Sequence, residues 1–125
     1  MDTNEINVSN AFGKQSLIFD NLYTSNKLTE YYRNIFRNEI NNNINEKSHI
    51  LEINCGTGID AVYFASKAHT ILATDLSPEM INVLSNKIHD LELNNQIQTK
   101  VCSYHDLTSL DNRKFDYIFS GFGGL

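Results

Sequence analysis

An α/β fold with a doubly wound, mostly parallel sheet is the architecture this 125-residue sequence predicts, on three observations. Four apolar runs of strand length, at 48–54, 70–75, 97–102 and 115–120, are separated by stretches with helical spacing. The first run passes straight into a glycine turn, LEINCGTG at 51–58, that opens a helical stretch. The second run ends on an acid, Asp75, at the place where sheets of this kind hold sugar hydroxyls.

Each element follows from its residues. Ahead of the first strand, Leu28, Tyr32, Phe36 and Ile40 recur every fourth residue, with Tyr31, Ile35 and Ile44 alongside, which is the stripe of an amphipathic helix. Asn41, Asn42 and Asn43, in a chain with seventeen asparagines, end that helix, because Asn adopts the left-handed backbone that stops helices. In the turn, Gly56 and Gly58 let the chain bend sharply and approach a ligand closely, since glycine tolerates positive φ. Asp60 then stands in the first turn of a helix, where an acid complements the dipole. After the second strand, Ser77 is an N-cap, Pro78 suits the first helical position, and Ile81, Leu84, Ile88 and Leu91 form the stripe of a helix. The third strand leads through SYHDLTSL at 103–110 to the fourth, in KFDYIFSGFGGL at 114–125.

The glycine turn and Asp75 together specify an adenosine-containing cofactor and leave two classes open. Gly56, Gly58 and Ala61 satisfy the dinucleotide pattern, and Asp75 follows Gly56 by nineteen residues, as an NAD(P)-binding oxidoreductase domain requires. Against a dinucleotide stands Glu52, on the strand just before the turn, which would bring negative charge to the place of a pyrophosphate. A carboxylate there suits an ammonium group. A non-catalytic binding module would carry the same signals.

The runs at 49–65 and 71–81 resemble the class I S-adenosylmethionine-dependent methyltransferases, of the small-molecule type with an N-terminal helical cap. The resemblance implies a Rossmann-like three-layer sandwich with strand order 3-2-1-4, residues 1–46 forming the cap and 47–125 the first half of the cofactor domain. It implies S-adenosyl-L-methionine as cofactor, with Glu52 and the turn of Asn54, Gly56 and Gly58 holding the methionine portion. Asn54 stands where the family's first glycine usually does. By the same resemblance Asp75 takes the ribose hydroxyls, Leu76 lies beside it, and Met80 packs on the adenine. Asp106 would accept from the adenine amino group and the Leu107 backbone N–H would serve a ring nitrogen, while Ser120 stands where the fourth strand leaves the sheet. Tyr23, with Phe12 and Phe19 nearby, would cover the cofactor, and an aromatic face attracts a sulfonium. No catalytic residue is assigned. The Asn-Pro-Pro-aromatic signature of amino-group methyltransferases acting on nucleobases or glutamine is absent, so a small-molecule acceptor is expected. The family's domain has seven strands and the pattern supplies four, so a chain truncated after strand four is expected, with weak cofactor binding and little turnover alone. Its open strand-four edge would be a route to self-association.

Composition narrows the partners. A net charge of −5 disfavours nucleic acid or an anionic membrane, which need clustered Lys and Arg. No apolar stretch approaches the ~20 residues of a membrane span, and the first residues lack the basic and apolar regions of a signal peptide, so a cytoplasmic location is expected. Cys55 and Cys102 form no disulfide framework, and Cys55 is expected to pack as a small hydrophobe. His49, His69, His89 and His105 have no metal-site spacing, and no metal is expected.

Overall fold

The computed structural model describes residues 27–103, 106 and 114–120, with the backbone alone at residues 27 and 28. Its elements are α1 (Lys27–Asn43), β1 (His49–Ile53), α2 (Ile59–Ser66), β2 (Thr70–Asp75), α3 (Pro78–Asp90), β3 (Ile97–Val101) and β4 (Tyr117–Ser120). Every strand pairing is parallel, and the order across the sheet is β3-β2-β1-β4, as expected. β1 lies inside the sheet, with Ile50 opposite Ile71 of β2 on one side and Tyr117 of β4 on the other. The strands are slightly shorter than the apolar runs. β1 stops at Ile53 because Asn54 turns into left-handed backbone, φ 57°. β4 starts at Tyr117 because Asp116 serves as a clasp instead: its N–H donates to the His49 carbonyl and its carboxylate accepts from the His49 N–H, both at 2.7 Å.

The three helices cover one face of the sheet. Ile50, Ile71, Ile97 and Phe119 of the strands meet Ile40 of α1, Phe64 of α2 and Leu84 of α3 in a single apolar cluster. Because side chains alternate along a strand, Leu51, Ile53 and Leu72 point the other way, with Phe115 packed beside them. Ile118, opposite Leu51 in register, is more than half exposed on that second face.

α1 departs from its expected stripe. Ile40 is buried and Phe36 and Ile44 pack on the core, but Tyr31, Tyr32 and Ile35 are exposed at 61%, 54% and 49%. The side facing α2 is occupied by Arg33 and Arg37, whose guanidiniums reach the Asp60 carboxylate. The helix has therefore rotated its aromatic pair to solvent, where Tyr31 and Tyr32 meet edge to face. Further contacts fix α1 in place: Phe36 packs edge-on to Phe119, Arg37 lies 4.1 Å over the Tyr63 ring, and the Asn41 amide donates to the Tyr63 hydroxyl. Its described length packs as a third helix of the main core, with Ile40 only 1% exposed.

Candidate functional site

The chemistry-bearing residues gather where β1 and β2 end. The turn after β1 holds left-handed backbone at three of its five residues, Asn54, Gly56 (φ 58°) and Gly58 (φ 84°). Asn is the residue besides glycine that best tolerates this conformation, so the chain turns here without the usual glycine. Its amide also donates to the Ser120 hydroxyl at 3.2 Å, tying the turn to the end of β4. The Cys55 N–H reaches the Thr74 carbonyl, and the Gly58 N–H closes back on the Cys55 carbonyl. From α3, the Lys87 ammonium donates to the Thr57 carbonyl at 3.0 Å.

The two glycines play different parts. A Cβ at Gly56 would meet nothing within 4 Å, so the turn leaves open space there for a ligand to approach the backbone. A Cβ at Gly58 would overlap the Leu84 side chain. Gly58 therefore has a packing role as well, because it seats the start of α2 against α3.

Asp75 braces the site. One carboxylate oxygen accepts from the Gly56 N–H at 2.8 Å and the other from the Ser77 N–H at 2.9 Å, so a single side chain fixes the glycine turn and the approach to α3. Three backbone donors leave the carboxylate room for a further donor such as a sugar hydroxyl. Burial pushes its pKa up, against the pull of the Ser77, Gly56 and Leu76 backbone donors. Ser77 caps α3, its hydroxyl accepting from the Met80 N–H, with Pro78 in the first turn as expected. Leu76 is half-buried beside Asp75, and Met80 is buried.

Glu52 is the anomaly of the core. It sits on β1 between Ala73 and Phe119, is 1% exposed, and its Oε1 has no hydrogen-bond partner among the described residues. Burial drives its pKa well above the ordinary carboxyl value, and the Asp60 charge adds to this while Arg33 opposes it. Asp60, expected as a dipole complement, does stand in the first turn of α2, but it is buried and ion-paired, with Arg37 at 3.0 Å and Arg33 at 3.2 Å. Nothing in the sequence patterns singled out those two arginines. Their spacing of four residues within the apolar stripe of α1 was the available signal.

Asp106 is exposed, and its N–H and carboxylate turn back onto Ser103. Tyr23 and Leu107 lie outside the described residues. Cys55 packs in the core as expected, with a thiol pKa pushed well up by burial and then by the Glu52 charge, which makes it a poor nucleophile.

A family model described as a methyltransferase domain matches residues 50–125. The chain belongs to the methyltransferase domain family. Membership bears out the resemblance to class I S-adenosylmethionine-dependent methyltransferases and decides between the two enzyme classes that the glycine turn left open. Among solved structures, this methyltransferase domain is 32% identical to PKMT2 from Rickettsia typhi, which was solved in complex with AdoHcy. That match covers 60% of this chain and 14% of the other, with a TM-score of 0.54. A provisionally assigned S-adenosyl-L-methionine-dependent methyltransferase from Methanococcus maripaludis shares the fold at a TM-score of 0.71 and 23% identity, over 89% of this chain and 50% of its own. A provisionally assigned sarcosine dimethylglycine methyltransferase from Galdieria sulphuraria shares it at 0.62 and 16%, over 74% and 34%. The chain spans half or less of the length of these solved relatives. No curated protein matches it. Among the described residues, no helix is long and apolar enough to cross a membrane.

Proposed function

We propose that the chain forms the S-adenosylmethionine-binding half of a methyltransferase that acts in the cytoplasm on a small-molecule acceptor. The observation that carries this reading is the unpartnered Oε1 of Glu52, a carboxyl oxygen that the described structure buries without using. Leaving a buried acceptor unmatched costs about 1–3 kcal/mol, more if charged, so such a group is retained for a ligand. An amino acid ammonium supplies the missing donors. Beside it, the open space at Gly56 fits a thioether or sulfonium chain running close to the backbone, and Asp75 presents its remaining acceptor position to a ribose hydroxyl.

Bound S-adenosylmethionine supplies a methyl group on an electrophilic sulfonium sulfur, open to in-line displacement by an acceptor. The residues of this chain bind and orient. Glu52 anchors one end of the ligand and Asp75 the other, and the Gly56 turn sets the height between them. Ser120, held by Asn54, borders the same turn from β4. Fixing two reactants in line is worth about 7–11 kcal/mol of barrier, which is what a site without an assigned acid or base contributes. The net charge of −5 supports a small acceptor over a polyanion.

Calorimetric titration of the chain with S-adenosylhomocysteine and, separately, with NAD(H) tests the reading. S-adenosylhomocysteine should bind, and Asp75→Asn, which keeps one acceptor oxygen for the turn, should weaken it by about 1.5–3 kcal/mol. Tight NAD(H) binding with none of S-adenosylhomocysteine would overturn it.

A further inference from the structure

A turn with two glycines at positive φ has more freedom than a ligand site can use. At Gly56 and Gly58 no Cβ resists rotation, so the peptide planes around Thr57 flip at little steric cost unless something holds them. The structure pins the two planes that flank this arc. In the Cys55–Gly56 peptide, the N–H donates to the Asp75 carboxylate at 2.8 Å and the carbonyl accepts from the Gly58 N–H at 3.0 Å. In the Thr57–Gly58 peptide, that same N–H fixes one side and the carbonyl accepts from the Lys87 ammonium at 3.0 Å. Each plane is therefore held by one charged side chain, an acid for the first and a base for the second. Hydrogen bonds to ionised groups are about twice as strong as neutral ones, which suits them to this task.

Lys87 does not act on the turn alone. Leu84 stands three residues before it on the same face of α3, and a Cβ at Gly58 would overlap the Leu84 side chain. Asp75, besides holding Gly56, accepts from the Ser77 N–H that opens the same helix. One continuous stretch, 75–87, thus grips three consecutive residues of the arc, Gly56, Thr57 and Gly58. We propose that Lys87 is a positioning residue for the cofactor: from α3 it holds the Thr57 carbonyl, so that the Gly56 backbone is preset for the thioether or sulfonium chain before the ligand arrives. This rests on the reading of the site as an S-adenosylmethionine pocket. Without the ammonium, the binding-competent turn becomes one of several conformations, and apparent affinity falls by the fraction of molecules that keep it.

Two measurements separate this from a purely structural role. Lys87→Met keeps an unbranched stem and removes the donor. In calorimetric titrations it should lower affinity for S-adenosylhomocysteine about tenfold, the lower end of what a hydrogen bond to a charged group is worth. Lys87→Arg, which keeps a charged donor, should recover most of that loss. Amide hydrogen exchange of the ligand-free chains reads the turn directly. In Lys87→Met the Gly56 and Gly58 amides should exchange about tenfold faster while those of β1 stay within about twofold, because only the turn has been loosened. Saturating S-adenosylhomocysteine should restore the protection. Should Lys87→Met fail to fold in a thermal melt, Lys87→Gln, with its shorter side chain, carries the same comparison. Unchanged affinity in a folded variant, or a loss accompanied by equally faster exchange in β1, would overturn the proposal alone. A wild-type chain that does not bind S-adenosylhomocysteine would overturn the cofactor reading and this proposal with it.

Discussion

A carboxyl with one oxygen unmatched in the interior lowers stability, and under the proposed cofactor role Glu52 links fold and function through pH. Its folded pKa is raised, so its contribution to stability is fully present below the unfolded value of about 4.3 and is lost as pH rises through the folded one. Glu52→Gln removes that loss. We expect the variant to have a higher Tm than the wild type at pH 8, with the gap narrowing toward pH 5, while its affinity for S-adenosylhomocysteine falls by about 1.5–3 kcal/mol. Thermal melts across pH, paired with calorimetry, check both halves. A variant less stable than the wild type at pH 8 would mean that Glu52 is a structural acid. Stability gained where affinity is lost is the usual mark of a residue kept for a ligand.

At the scale of elements, the two glycines of one turn should fail differently. Gly58→Ala meets a left-handed penalty of about 1–2 kcal/mol and an overlap with Leu84 worth about 1–3 kcal/mol more, so denaturant unfolding should show a loss of about 2–5 kcal/mol. Gly56→Ala carries the backbone penalty alone, because its Cβ enters open space, and its main effect should be on ligand affinity. Equal destabilisation by the two would contradict the packing role of Gly58. Much of this turn was legible in the sequence, because glycines, an acid after the next strand and the Ser77-Pro78 cap are local signals with local causes. Helix identity was legible for the same reason, whereas the strand order was implied by the family resemblance and not by any local signal. The Arg33–Asp60–Arg37 set was not, since its partners stand 27 and 23 residues apart and no periodicity announces an ion pair between two helices. The apolar stripe of α1 misled at Tyr31, Tyr32 and Ile35 because that buried pairing decides which way the helix faces.

For the molecule as a whole, titrating groups at opposite ends of β1 bound the pH range of stability. At its start, the buried His69 ring accepts the Ser48 N–H on Nδ1 and burial lowers its pKa. Its contribution is present above the unfolded value of about 6.5 and is lost as pH falls through the lowered one. At the other end, Glu52 and Asp75 have raised values and withdraw stability as pH rises. The ligand-free chain should therefore melt highest at mildly acidic pH, and saturating S-adenosylhomocysteine should lift the alkaline side most, because it engages the ionised carboxylates. Melting curves from pH 5 to 9 with and without ligand test this; a ligand-induced rise that is largest at pH 5 would contradict it. The placement of β4 beside β1 also has a kinetic side. The clasp between His49 and Asp116 spans 67 residues, and at about 5–20 residues per second a ribosome takes roughly 3–13 s to deliver the second partner after the first. For that interval the strand carrying Glu52 has one edge without its mate, so in a nascent chain that edge is open to wrong pairing.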